Sequence, residues 1–589
     1  MPTRDVAEAL TAHGLLPPDL EMLRPTVGRY TTLLMQPSGP IFANTQRIGP
    51  SETDVAYAKG RNFLDLARAR GVHLAVTPEY FLPWAVLKDA IESGLVPATD
   101  ALWVLGSESI AQEGLEQFKQ EVAGQCLVLH EPWQDLPLDR HLLDPVVLLF
   151  QARRPDQSAQ LVALVQFKTY PSRDALFSEE AILRRGSLIY RFRGTSGHLT
   201  AAVIICSDAF ALTDQWLSDF NYQSTLIHIQ LNPNPRNSAY RRYRATTFST
   251  DPRATNCHII CLNWARSIVQ HGDPGAPANA WNNIAGSTWY CPAEECSSDD
   301  AVVIPNHSHG LYYAYMKERR HALLFHYDEA IFELLVPKLL VTQAGAAPMA
   351  NHNGPVTVQR YEWSATTATW TAGAVAPETG FTAFVGASPQ SQLALEHVLA
   401  EANPLAIERV LALSAGAVCA RATWHSIQNI DSCQIAEDEV VRRLTVVQDD
   451  AAHAFRHERL NSVAQVHHEL LNRVDWPPQV PGVDARSSIR WMGTNPHFNV
   501  LTADDQPTLI VYLGESPPAR DLENKADMLY ELLRQAGGPH QKRLCIVYRE
   551  FGQPKFAPIA ALTRFDDAME DKTDFMAIQP LEDTGADHG

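Results

Sequence analysis

Between about Arg29 and Leu340 the chain alternates short apolar, β-branched runs with segments whose apolar residues recur at helical spacing. Thr31-Thr32-Leu33-Leu34-Met35-Gln36 predicts a first strand. Thr53 to Arg70 sets Ala56, Ala58, Phe63, Leu64, Leu66 and Ala67 at helical spacing, and Gly71 follows where a helix C-terminus favours glycine. Further strands are expected at Leu74 to Thr77, Leu102 to Ser107, Pro145 to Gln151 with Gln160 to Phe167, and Leu199 to Ile205. Leu226 to Gln230, His258 to Asn263 and Gly286-Ser287-Thr288-Trp289 complete the set. Strands interleaved with helices predict an α/β fold, because each sheet face needs an apolar helical cover.

From about Val341 the pattern changes. Ala344-Gly345-Ala346-Ala347-Pro348 and Asn351-His352-Asn353-Gly354-Pro355 are turn-forming and predict a linker over 341–365. A mostly helical domain is expected over 366–500, from helical spacing in Ser388 to Val418 and in Ile435 to Val474. The stripe Val440, Leu444, Val447, Leu460, Val463, Leu470 and Val474 reads as a helix packed within its own domain. Residues 501–589 read as a small strand–helix–strand module: Thr508 to Leu513, Asp521 to Gln535 and Leu544 to Tyr548, with Gly537-Gly538-Pro539 as the helix stop.

Composition narrows the function. At 589 residues the chain exceeds the size of one growing core, so two or three domains are expected. A formal net charge of −19 argues against the phosphate attraction of nucleic-acid binders. Nine cysteines at irregular spacing suit a reducing compartment better than a disulfide framework. Met1 to Leu16 carries Arg4, Asp5, Glu8 and His13, unlike a signal-peptide core, and no stretch is apolar enough to span a bilayer. A cytoplasmic protein without a membrane or nucleic-acid partner is the expectation.

Three runs end on residues able to do chemistry: Val76-Thr77-Pro78-Glu79-Tyr80, Val165-Gln166-Phe167-Lys168 and Ile204-Ile205-Cys206-Ser207-Asp208. Strand ends in α/β proteins aim side chains into a common cleft, so a base, a cation and a thiol delivered this way form a candidate catalytic set. The features around them also come in order: Gln36 closing the first strand, Pro78-Glu79, Gly106-Ser107, Lys168, Cys206 and Gly286-Ser287. This series resembles the nitrilase superfamily of carbon–nitrogen hydrolases, over about residues 29–340. The resemblance implies a four-layer α-β-β-α sandwich, a homodimer or larger homo-oligomer, no cofactor, and a Glu79–Lys168–Cys206 triad. It also implies a second glutamate, Glu179 rather than Glu180, ahead of Gly186. Ser207, Asp208, Asn232, Pro233, Asn234 and Trp289 are implied to lie along the substrate pocket. An acid other than glutamate after Cys206-Ser207 leans toward amide-cleaving rather than nitrile-cleaving branches.

A thiol at its free pKa is mostly protonated, so Cys206 needs a base, for which Glu79 is the candidate. Lys168 and the Ser207 N–H are candidates to stabilise the negative charge that develops on a substrate oxygen. Glu179 would hold Lys168 in place. Other clusters fare worse. Cys291 and Cys296 lack a second pair at zinc spacing, His307 and His309 lie too close together, and His467-His468 point in different directions on a helix, so no metal is expected. Cys261 ends an apolar run without an acidic neighbour and is assigned to the core. The basic run Arg236 to Arg244 is read as recognising an anionic group or forming an interface.

Two superfamily variants are set aside. No Ser-Gly-Gly-type phosphate loop follows residue 341, unlike glutamine-dependent synthetases, and membrane N-acyltransferases need spanning helices. An amidase-like hydrolase of a small-molecule substrate is the leading expectation. A silent nitrilase-like sensor or scaffold, as in a bacterial conflict system, and an acyl- or carbamoyl-transferring enzyme are the alternatives. The C-terminal region is expected to recruit a protein partner.

Overall fold

The structure is a computed structural model that describes residues 2–26, 28–133, 140–173, 179–220, 223–233, 257–281, 287–292, 306, 309–316, 320–341, 349–350, 354–373, 385–386, 388–401, 404–416, 453–492, 495, 497–536, 538–559 and 562. The chain divides into two compact units, one comprising Met1–Thr379 with His425–Asp449, the other Gly380–Trp424 with Asp450–Gly589.

The first unit is built on two large mixed sheets. The nine-stranded sheet runs Thr369–Gly373, Val356–Ser364, Ala330–Pro337, Arg29–Gln36, Leu74–Leu82, Leu102–Ser107, Pro145–Arg153, Ala159–Phe167 and Leu127–His130. The eight-stranded sheet runs Thr3–Asp5, Ile189–Arg193, Thr200–Ile205, Ser224–Ile229, Cys257–Leu262, Thr288–Pro292, Arg320–Phe325 and Leu311–Met316. In each, the central strands that end at the site lie parallel, Arg29–Gln36 with Leu74–Leu82 and Leu102–Ser107, and Thr200–Ile205 with Ser224–Ile229 and Cys257–Leu262. Their near-continuous apolar runs are explained by burial along both faces.

Helix Thr53–Arg70 stops at Gly71, whose φ of 59° is the left-handed conformation that an unbranched backbone adopts freely. Its Phe63, Leu64 and Ala67 share a core with Leu33, Met35, Ala75 and Leu105 of the nine-stranded sheet. The opposite face of that sheet meets the other sheet. Gln166 bridges them, its Nε2 donating to Val203 O at 2.9 Å and its Oε1 accepting from Tyr190 N at 2.9 Å.

The residues expected as a linker behave differently. Val356–Ser364 is a strand that pairs antiparallel with Ala330–Pro337, and Thr369–Gly373 pairs with it in turn. Gly354-Pro355 leads directly into another strand of the same sheet, and turn-forming composition alone does not distinguish that from a domain boundary. In the second unit, Pro507–Glu515 and Leu544–Glu550 pair in parallel around helix Ala519–Ala536. Helices Pro404–Ser414 and His453–Asn472 pack on Pro507–Glu515, so the segments expected as two modules share one unit. The stripe members Val440, Leu444 and Val447, with the rest of residues 417–452, lie outside the described residues.

Candidate active site

Glu79 owes its position to an irregularity in its strand. Pairing between Leu74–Leu82 and Leu102–Ser107 slips between Thr77 and Leu82, and Tyr80 has a φ of 59°. In a regular strand, consecutive side chains leave from opposite faces. Here both Glu79 and Tyr80 reach the same cluster: Glu79 bonds Lys168, and the Tyr80 hydroxyl donates to Glu179 at 3.1 Å. The neighbouring strand accommodates the slip through Gly106, where a Cβ would lie 2.1 Å from the Pro78 carbonyl oxygen. That clash accounts for glycine in the Gly106-Ser107 pair.

Lys168 follows strand Ala159–Phe167, and its N–H donates to Asp144 O at 2.9 Å. Its Nζ lies 2.7 Å from Glu79 Oε1, 2.8 Å from Glu179 Oε2 and 3.3 Å from Asp144 Oδ2, with every side chain at most 2% exposed. Glu179 also accepts from Ser172 N at 2.6 Å, and Glu79 from Leu231 N. Trp264 Nε1 donates to the Glu79 carbonyl at 2.8 Å. Glu180 points outward, paired with Arg173.

Cys206 follows strand Thr200–Ile205 with a φ of 40°, a left-handed backbone that costs a non-glycine residue about 1–2 kcal/mol. Its surroundings hold it there. The Gln230 amide nitrogen meets His228 Nδ1 at 2.9 Å, which makes Nδ1 the acceptor and leaves Nε2–H to donate to Cys206 O at 2.9 Å. A clasp then joins the Cys206 turn to the Lys168 segment. Asp208 Oδ1 accepts from Thr169 N and Oγ1, both at 2.8 Å, and from Tyr170 N at 2.9 Å, while Oδ2 accepts from Ile205 N at 3.1 Å. Ser207 Oγ donates to Tyr170 O at 2.6 Å. Through this clasp the cysteine and lysine strand ends, one from each sheet, share a site.

Electrostatics follow from sealing these groups together. Burial raises the Glu79 pKa, and although the Lys168 charge opposes this, the Glu179 charge adds to it. Asp144 is pushed well above the usual carboxylate range, by burial first and then by the negative charge of Glu79. Burial works against the Lys168 charge, yet Glu179, Glu79 and Asp144 together, with Cys206 adding to them, hold the ammonium well above the lysine range. The carboxylates of Glu79, Asp144 and Glu179 lie close enough together to hold a metal ion, but the Lys168 ammonium occupies the position between them.

The remaining expected pocket residues are placed unevenly. Asp208 is committed to four donors and Ser207 Oγ to Tyr170, so both side chains hold the turn. Asn232 is buried, its N–H bonded to Asn263 Oδ1 and its carbonyl to Asn263 Nδ2, both at 3.0 Å; Pro233 beside it is half-buried. Trp289 is not brought to the strand ends. It pairs with Ile260 and packs edge-on against His258 with no solvent exposure. Ser287, two residues earlier, is the member of that segment beside Asn263. Asn234, the Arg236 to Arg244 run, Gly286, Cys296 and His307 lie outside the described residues. Asp144, His228, Tyr80 and Trp264 escaped the sequence reading; for Asp144 the available signal was a carboxylate directly before a strand that opens with Pro145.

No family model and no curated protein matches the chain. Among solved structures it is similar to an amidase from Nesterenkonia sp., at 9% identity and a TM-score of 0.29, covering 53% of this chain and 92% of that one. A variant of the Nesterenkonia AN1 amidase, from the nitrilase superfamily, gives 9% identity and a TM-score of 0.29 over 54% and 93%. The glutamine-dependent NAD+ synthetase from Acinetobacter baumannii gives 13% identity and a TM-score of 0.26 over 65% and 56%.

Proposed function

We propose that this chain is a thiol hydrolase that cleaves a non-peptide C–N bond, amide-like rather than nitrile, with Glu79, Lys168 and Cys206 as its catalytic residues and a four-layer α-β-β-α sandwich as its scaffold. The observation that carries the reading is the buried Lys168 ammonium at 2.7 Å from Glu79, clasped to the turn on which Cys206 takes its left-handed backbone. Burying a lysine charge is costly, and Lys168 is gathered among three carboxyl groups beside the cysteine turn rather than held by a single partner.

Glu79 takes the thiol proton, and the Cys206 sulfur attacks the substrate carbonyl carbon. The oxyanion is stabilised by the Lys168 ammonium and the Ser207 N–H. Glu79, its pKa raised by burial, returns the proton to the leaving nitrogen as the C–N bond breaks. Water, activated by Glu79, then attacks the thioester, releasing the acid and restoring the thiol. Glu179 acts on Lys168 alone, holding it with Ser172 and Tyr80 in the surrounding shell.

Intact-mass analysis of the full chain incubated with a library of small amides and nitriles tests this reading. An acyl adduct on Cys206 that is absent from Cys206→Ala is the expected result. Amide turnover by Cys206→Ala would overturn it. A homodimer belongs to the same proposal and is checked by light scattering, which a monomeric mass would contradict. Among the described residues no helix is long and apolar enough to cross a membrane.

A further inference from the structure

Asp144 immediately precedes strand Pro145–Arg153, and that strand's register pairs Pro145 with Phe167, which sets Asp144 across from Lys168. Side chains so placed are cross-strand neighbours. The groups facing Asp144 are Lys168, Glu79, Glu179 and the Tyr80 hydroxyl. Three carboxyl groups thus surround one ammonium in a site closed to solvent. If all were ionised, the cluster would carry two uncompensated negative charges, an arrangement that desolvation strongly disfavours.

The hydrogen bonds indicate which group holds a proton. Glu179 receives Ser172 N–H, the Tyr80 hydroxyl and Lys168; Glu79 receives Leu231 N–H and Lys168. The Tyr80 hydroxyl beside Asp144 donates to Glu179, and the Asp144 ion contact with Lys168 is the longest of the three. The buried carboxylate that is solvated least well by donors is the least stable of the set. Two carboxyl groups in contact share a hydrogen bond only when one of them carries a proton, and Glu79 is the carboxylate facing Asp144.

We propose that Asp144 is a positioning residue that stays protonated and donates a hydrogen bond to Glu79, so that Glu79 alone of the pair is ionised and ready to accept the Cys206 proton. This rests on the reading of Cys206, Glu79 and Lys168 as the reacting set. Burial and the Glu79 charge, which both favour the neutral acid at Asp144, act in the same direction.

Two readouts on the full-length chain test it. Infrared spectroscopy at neutral pH is expected to show the carbonyl stretch of a protonated, unexposed carboxylic acid. The band should move when aspartate is labelled with carbon-13, and should vanish in Asp144→Asn. Its absence from the folded wild type, its indifference to the aspartate label, or its survival in Asp144→Asn would overturn the proposal. The label needs no variant, so a folding failure does not blunt it. The second readout is the rate of Cys206 alkylation by iodoacetamide against pH. Asp144→Asn keeps a donor to Glu79 and is expected to retain the wild-type midpoint, whereas Asp144→Ala is expected to slow alkylation by about tenfold or more. A midpoint shifted by about one pH unit or more in Asp144→Asn would show a charged Asp144, and equal rates in all three chains would remove its role. Failure of the underlying reading looks different: Cys206 would resist alkylation at every pH in the wild type, whatever the infrared band shows.

Discussion

Lys168 is one charge answering three acids, and each change at this cluster has a distinct signature. On the proposed mechanism, Lys168→Met removes the cation assigned to the oxyanion and is expected to cut turnover by roughly two orders of magnitude or more. Glu179→Gln leaves an acceptor for Lys168 and Ser172 and should lose less; equal tolerance of both changes, measured as kcat/KM on any substrate found, would place the chemistry elsewhere. Asp144 makes a stability prediction that needs no substrate. Its folded pKa is raised above the ordinary 3.8, so the folded chain keeps a proton that the unfolded chain has released. The stability this group contributes is therefore fully present below that ordinary value and declines as pH rises toward the folded pKa, by about 1.4 kcal/mol per unit. Asp144→Asn carries no such penalty, so urea midpoints of variant and wild type should diverge in favour of the variant between about pH 5 and pH 8. A difference that is flat across that window would contradict the direction.

At the scale of elements, the site depends on one slipped strand. Gly106 leaves room for the Pro78 carbonyl, so Gly106→Ala must push Pro78-Glu79 aside. The expected cost is about 1–3 kcal/mol of stability together with a slower Cys206 alkylation, both read on the same purified chain. Unchanged alkylation would mean that the slip does not set the Glu79 position. Much of this arrangement was legible in the sequence, because strand ends bearing Glu79, Lys168 and Cys206 stand out against fully apolar runs. Asp144 did not stand out: a lone acid before a proline reads as an ordinary turn, and only the register opposite Phe167 brings it to Lys168. Trp289 is a related case, since an aromatic near a Gly-Ser pair says nothing of which rung of the sheet it occupies, here the one opposite Ile260. The linker reading missed the strand at Val356–Ser364 because turn-forming residues such as Gly354-Pro355 occur whether or not the same sheet continues after them.

For the whole molecule, the two strands beyond residue 355 define what a folded fragment of the first unit must contain. A chain ending at Val341 exposes the edge of Ala330–Pro337 that Val356–Ser364 covers, and is expected to aggregate; a chain ending at Thr379 retains both strands. Light scattering and Cys206 alkylation on the two truncations check this, and a well-behaved, reactive shorter chain would contradict it. Recruitment of a protein partner by the second unit is compatible with a reactive longer fragment and would be opposed by a folded but inert one. The sheet also constrains how the protein is made. Arg29–Gln36 sits near the middle of the nine-stranded sheet and pairs on one side with Ala330–Pro337, so one of the first strands to leave a ribosome waits for one of the last of its unit. At about 5–20 residues per second, the roughly 300 intervening residues take about 15–60 s to synthesise. Through that interval an apolar strand edge is left unpaired, and slowing translation would be expected to cost yield of the soluble chain well before it alters the finished fold.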